Sequence, residues 1–169
     1  RRFQDRVVLV TGGNSGIGRA TALKFADEGA KVVIAARRED LGRATVEEIG
    51  KRGGEALFIP TDVTRGQDVE RLFQAITDRY GRLDCAFNNA GVSSSAMRRT
   101  VNTTMADWDW MMDTNLKGVW RCMRLEIPLM LRQGGGAIVN NSSIAGICTE
   151  VGLSVYAASK HAVLGLTKA

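Results

Sequence analysis

The chain has 169 residues, enough for one domain with a real core and too few for two. Apolar residues make up 44% of it and charged residues 24%, an ordinary globular balance, and no apolar run has the length of a transmembrane span. Lys and Arg outnumber Asp and Glu by 23 to 18, but the excess is interleaved with acids in stretches such as 65–82, so neither nucleic acid nor membrane is an expected partner, while a modest positive field suits an anionic cofactor.

In chain order, residues 7–10 form a continuous β-branched and aliphatic run that passes straight into a glycine turn, so they read as a first strand and not as a signal peptide. Residues 17–28 have helical periodicity and close on Gly29. Lys31–Ala36 is a second strand, and Glu39–Lys51 an amphipathic helix ending at Gly53-Gly54. Residues 56–59 are a third strand stopped by Pro60. Residues 68–80 are a helix closed by Gly81, and 83–87 a fourth strand. A long helical stretch runs from about 105 to 133, with Pro128 placed to bend it. Three glycines end it, Ala137–Asn140 is a fifth strand, and helix resumes from Val155. Short Val- and Ile-rich strands separated by helices predict an α/β fold, a parallel sheet doubly wound by right-handed crossovers.

Cys85, Cys122 and Cys148 are odd in number, scattered and set among apolar residues, which predicts buried free thiols in a reducing, cytoplasmic setting. With one histidine, His161, and no Cys-x-x-Cys, no metal site is expected.

The first strand ends in Thr11-Gly12-Gly13-Asn14-Ser15-Gly16-Ile17-Gly18. Gly12 suits a tight turn, Gly16 lets the backbone approach a pyrophosphate, and Gly18 lets the new helix pack closely on the strand. The helix that opens there aims free N–H groups and its positive end at phosphate. An NAD site usually carries a carboxylate at the end of the second strand for the ribose 2′-OH. Here the strand ends in Ala36 and is followed by Arg37 and Arg38, whose guanidinium groups suit the 2′-phosphate of NADP, with NAD as the alternative.

Tyr156 and Lys160 lie one helical turn apart on one face. A free phenol is a poor acid–base catalyst near neutrality, and a neighbouring ammonium in a site partly closed to water favours its phenolate. Ser142 and Ser143 lie at the end of the fifth strand, where open α/β sheets bind ligands, and a hydroxyl there suits a substrate carbonyl or alcohol.

These motifs together resemble the short-chain dehydrogenase/reductase family, from the first strand to the last residue. Residues 11–18 look like its Thr-Gly-x-x-x-Gly-x-Gly cofactor turn. Asp62-Val63 resembles the pair that contacts adenine, and Asn88-Asn89-Ala90-Gly91 the motif lining the cofactor after the fourth strand. Asn115, Ser143, Tyr156 and Lys160 match the catalytic tetrad. The resemblance implies that Tyr156 exchanges the proton at the substrate oxygen and that Ser143, favoured over Ser142 by its spacing to Tyr156, orients that oxygen. Lys160 favours the phenolate and holds the nicotinamide ribose, while Asn115 anchors a water that relays protons to Lys160. The cofactor carries the hydride.

The resemblance thus implies an oxidoreductase acting on a small-molecule carbonyl or alcohol, the alternative being a non-catalytic dinucleotide-binding module or truncated relic. It also implies a homo-oligomer, dimer or tetramer, packed through the long helix and the Tyr156 helix. Trp108, Trp110, Met111, Met112 and Trp120 are expected in helix packing or subunit contact. His161 is expected to be structural or exposed, and 93–95 a flexible loop at the site rim. Family members continue past the Tyr156 helix into further strands and a substrate-covering segment. The expectation is therefore a single dinucleotide-binding domain over 1–169, Rossmann-type, truncated after the fifth strand and the following helix, with an exposed sheet edge.

Overall fold

Alternation decides the architecture at the first strand. In β1 (Val7–Thr11) successive side chains point to opposite faces, and all five residues are buried. Val7 and Leu9 enter one core cluster, Val8 and Val10 the other. A strand apolar on both sides needs cover on both sides, and the helices supply it. The computed structural model describes residues 1–93 and 98–169; Ser94 and Ser95 of the expected rim loop lie outside the described residues.

The elements follow in strict succession: α1 (Gly16–Asp27), β2 (Lys31–Ala36), α2 (Glu39–Lys51), β3 (Glu55–Pro60), α3 (Gly66–Tyr80), β4 (Cys85–Asn88), α4 (Met105–Met112), α5 (Gly118–Arg132), β5 (Ala137–Asn140) and α6 (Ser154–Lys168). The sheet is parallel, in the order β3-β2-β1-β4-β5. Chain order reverses between β1 and β4, which opens a crevice at the C-terminal ends of those two strands. Ala22, Ala26 and Ile49 cover one face. Leu72, Ile76, Cys122 and Leu129 cover the other.

The expected elements are present with small shifts at their ends. Leu83 lies outside β4 because its N–H and C=O bond the side-chain amide of Gln133, at 2.9 and 2.6 Å. The long helix is continuous, with Pro128 inside α5, but α4 and α5 are joined by a π-helical segment, Asp113–Lys117, that carries Thr114 and Asn115. Its one extra residue per turn is invisible to a 3.6-residue pattern. At the opposite end of the sheet from the crevice, Asp84 accepts from the Val7 N–H at 2.9 Å and pairs with Arg6 and Arg82 at 2.8 and 2.5 Å. Burial alone would raise the Asp84 carboxyl. Hydrogen bonds from Arg82, the Val7 N–H and Arg6 outweigh it and hold the group below the usual carboxylate range.

One thiol departs from expectation. Cys122 is buried and Cys85 half-buried, but Cys148 is exposed, because it lies in the surface segment between the short turn Ile144–Gly146 and α6. Met111 is buried, while Trp108, Trp110 and Trp120 each leave about 42–43% of their surface exposed. Trp120 carries the Arg124 guanidinium 4.8 Å from its ring centroid. His161 is exposed, its Nδ1 2.9 Å from the Ala157 carbonyl of its own helix. Among the described residues no helix is long and apolar enough to cross a membrane.

Candidate active site

The glycine turn folds as its residue types require. Gly12 and Gly16 have φ of +66° and +51°, the left-handed region that glycine enters at no steric cost. Gly18 sits so close to the Gly12 carbonyl that a Cβ would collide with main chain. Thr11 fixes the turn from beneath: its Oγ1 accepts from the N–H groups of Asn89 and Ala90 at 2.9 and 3.0 Å. The Asn89 amide donates to the Thr11 carbonyl at 3.1 Å. Ser15 stands at the N-cap of α1 without a side-chain cap bond, and the first turn holds no acid. Its N–H groups are thus open to an anion.

A cavity of about 440 Å³ lies over this turn. The structure brings together there nearly every residue singled out for cofactor binding: Gly12, Asn14, Ser15, Gly16, Ile17, Arg37, Arg38, Asp62, Val63, Asn89, Ala90 and Gly91. Gly18 is absent from the wall because it lies under the turn as a packing position. Thr61, Val92 and Thr114 also line the cavity, and no motif marked them.

The basic end of the cavity is organised. Arg38 Nη2 donates to Ser15 Oγ at 2.8 Å, joining the residue after β2 to the N-terminus of α1. Ala36 is followed directly by Arg37 and Arg38, where a carboxylate would be needed for a ribose 2′-OH. Asp62 accepts from the Thr64 N–H and hydroxyl at 2.9 and 2.8 Å. Burial would raise its carboxyl, but these bonds and the Arg37 charge hold it below the usual range. Asp62 is therefore ionised near neutrality, with its charge set against Arg37.

None of the four tetrad candidates is on the wall of this cavity. Lys160 is buried, and burial pushes its ammonium below the ordinary lysine value. Its Nζ donates to the Asn141 carbonyl at 2.8 Å and lies 5.8 Å from the Tyr156 ring centroid. A Cβ on Gly91 would stand 3.6 Å from that Nζ, so the lysine lies directly behind the cavity wall. Tyr156 lines a separate pocket of about 20 Å³ with Arg98, Asp107 and Met111.

The two serines differ in what they bond. Ser142 Oγ spends its proton on the Lys160 carbonyl at 2.8 Å. Ser143 Oγ accepts from the Ala145 N–H at 3.2 Å and keeps its own proton for another partner. Asn115 is fully buried. Its Oδ1 accepts from the Val92 N–H at 2.7 Å, and its amide donates to the Val92 carbonyl and Ser159 Oγ at 2.8 and 3.1 Å. Both amide donors are thus spent on protein. Sequence reasoning missed Ser159, whose hydroxyl donates to the Tyr156 carbonyl at 2.7 Å.

The family model for short chain dehydrogenases matches residues 6–169. The chain is 45% identical to a 3beta-hydroxysteroid dehydrogenase of Mediterraneibacter gnavus over 168 residues, 99% of this chain and 60% of that protein. It superposes with a TM-score of 0.94 on a short chain dehydrogenase/reductase from Burkholderia phymatum in complex with NAD, at 37% identity, covering 99% of this chain and 59% of that one. A metagenomic short-chain oxidoreductase in complex with NADP also gives 0.94, at 32% identity, covering 99% and 76%. The chain spans about 60–65% of the length of the curated relatives it matches. With one family model covering almost the whole chain and its fold shared with dinucleotide-bound members, the protein belongs to the short chain dehydrogenase family.

Proposed function

We propose that the protein is an oxidoreductase that prefers NADP(H) and transfers a hydride between the nicotinamide and a carbonyl or alcohol substrate. The observation that carries this reading is the junction of Arg38 with Ser15 beside the open first turn of α1, with Arg37 and Arg38 and not a carboxylate directly after Ala36. A guanidinium and a hydroxyl that already meet at 2.8 Å form a donor pair suited to a 2′-phosphate.

The residues present fit a dinucleotide. The α1 N–H groups and residues 12–18 would hold the pyrophosphate. Arg38, Ser15 and Arg37 would hold the 2′-phosphate, Asp62 and Val63 the adenine, and Asn89, Ala90 and Gly91 the following stretch. Lys160 would hold the nicotinamide ribose. When bound, the nicotinamide accepts or gives the hydride at the substrate carbon. Tyr156 gives the proton to the substrate oxygen in reduction and takes it in oxidation. The buried Lys160 ammonium, 5.8 Å from that ring, favours the phenolate that remains. Ser143 aims its free proton at the substrate oxygen. The site is read as working in a homo-oligomer in the cytoplasm.

Fluorescence titration with NADPH and NADH tests the cofactor assignment. Tighter NADPH binding is expected. Arg38→Ala should weaken NADPH by roughly 1.5–3 kcal/mol, the worth of a charge-assisted contact, and leave NADH nearly unchanged. Equal affinities in the unaltered chain would overturn the NADP assignment. For the chemistry, Tyr156→Phe removes one hydroxyl and should lower turnover of carbonyl substrates by at least ~10²-fold while cofactor affinity stays close to normal.

A further inference from the structure

Lys160 has one side-chain hydrogen-bond partner among the described residues, the Asn141 carbonyl at 2.8 Å. Asn141 follows β5 directly and is held on three sides. Its N–H continues the sheet ladder to the Asn88 carbonyl at 2.9 Å. Its carbonyl takes the lysine. Its side-chain amide donates to Asn89 Oδ1 at 3.0 Å.

The orientation of that last bond is forced. Asn89 turns its amide nitrogen to the carbonyls of Thr11 and Gly12, at 3.1 and 3.5 Å, so its oxygen must face Asn141. Asn141 must then present a donor. An unbroken path of polar contacts runs from the main chain of the glycine turn, through the amides of Asn89 and Asn141, to the Lys160 ammonium. The next residue grips the same lysine at its other end, since Ser142 Oγ donates to the Lys160 carbonyl at 2.8 Å.

We propose that Asn141 is a positioning residue that ties the glycine turn to the Lys160 ammonium. Its side-chain amide, locked on Asn89, sets the direction of the main-chain carbonyl that holds the lysine. Ser142 holds the main chain of the same residue through its carbonyl. A lysine buried without a carboxylate beside it has little else to define its place. This inference rests on the reading of the glycine turn as a dinucleotide site.

The test has two arms on the 169-residue chain. In the first, without dinucleotide, the lysine side-chain signals are followed by NMR of lysine-labelled protein, and that of Lys160 is identified by its loss in Lys160→Met. Asn141→Leu keeps the shape of the side chain and removes the amide. It should move the Lys160 signal more than those of Lys24, Lys31, Lys51, Lys117 and Lys168. In the second arm, NADPH affinity should fall about 2- to 10-fold in Asn141→Leu, the range of one net hydrogen bond, and should not change when Asn141→Leu is added to Lys160→Met.

An unmoved Lys160 signal, or the same loss of affinity in the Lys160→Met background, would overturn the proposal. If Asn141→Leu lacks a cooperative melting transition, Asn141→Ser, which keeps a shorter donor, takes its place and should give a smaller displacement in the same direction. If the unaltered chain binds neither NADPH nor NADH, the reading of the turn fails, while the first arm still decides the coupling.

Discussion

Strand β1 lies between β2 and β4, and every residue in it is buried. Strand β5 pairs with β4 alone among the described residues and alternates exposed with half-buried positions, Val139 being 58% exposed. Both strands are short, apolar and parallel, so composition does not separate them; the number of neighbours does. The glycine turn grows from the first strand and inherits a rigid foundation. The Tyr156–Lys160 helix is reached through the second, where packing is thinner. There the contacts that fix the site are polar: Asn141 and Ser142 on Lys160, and Asn115 with Ser159 on the Tyr156 carbonyl. One half of the site is held by burial, the other by hydrogen bonds.

The largest expected effect lies at the centre. Leu9→Ala removes a fully buried side chain from β1 and should cost about 2–5 kcal/mol, read from urea unfolding of the chain. A value near zero would mean that the centre of the sheet is no better packed than its edge.

Glu126 tests the seam between the halves. It is fully buried on α5, and Asn88 of β4 donates to its Oε2 at 3.0 Å. Burial raises its carboxyl from 4.5 to about 7, against the smaller opposing effect of Asn88. The folded state therefore holds its proton where the unfolded chain has lost it. The stabilisation is complete below about pH 4.5 and is lost as pH rises to about 7. At about 1.4 kcal/mol per pH unit the total is about 3 kcal/mol. Glu126→Gln, neutral at every pH, should flatten that fall; an unaltered slope in unfolding free energy between pH 5 and 8 would exclude this assignment.

Asp84 should show the opposite sign. Its carboxyl is held low, so its contribution is present above the ordinary carboxylate pKa and is lost on acidification through its lower folded value. Asp84→Asn should destabilise the chain by about 1–3 kcal/mol at neutral pH, measured by urea unfolding, because the Val7 N–H and two guanidinium groups share that carboxylate. The smallest effect belongs to the edge. Val139→Thr should stay within about 0.5 kcal/mol, since the side chain is already largely in water. A loss as large as that of Leu9→Ala would erase the contrast between the strands.

What the sequence made legible was local. The alternation of apolar runs with helical patterns, the glycine turn and the Tyr156–Lys160 spacing each depend on residues close in the chain, and each corresponds to an element or a wall of the cavity. Thr61, Val92 and Thr114 were not legible, because they reach the cavity from other strand ends and from the π segment. Asn141 and Ser159 carry no motif, and their importance exists only once β5, α6 and the Asn89 loop have met. The exposed thiol of Cys148 was misread because apolar neighbours in sequence were taken for burial in space.

The π segment has a meaning beyond its hydrogen bonds. Relative to an α-helix, Asp113–Lys117 contains the equivalent of a one-residue insertion. Had the helix absorbed that residue by rotating, every later position of α5 would have turned by about 100° and taken Cys122, Glu126 and Leu129 off the core. By swelling locally the helix keeps its downstream register and aims Asn115 inward at Val92 and Ser159. The wider turn thus confines the insertion to the neighbourhood of Asn115, so that the geometry there and the packing of α5 can be altered independently.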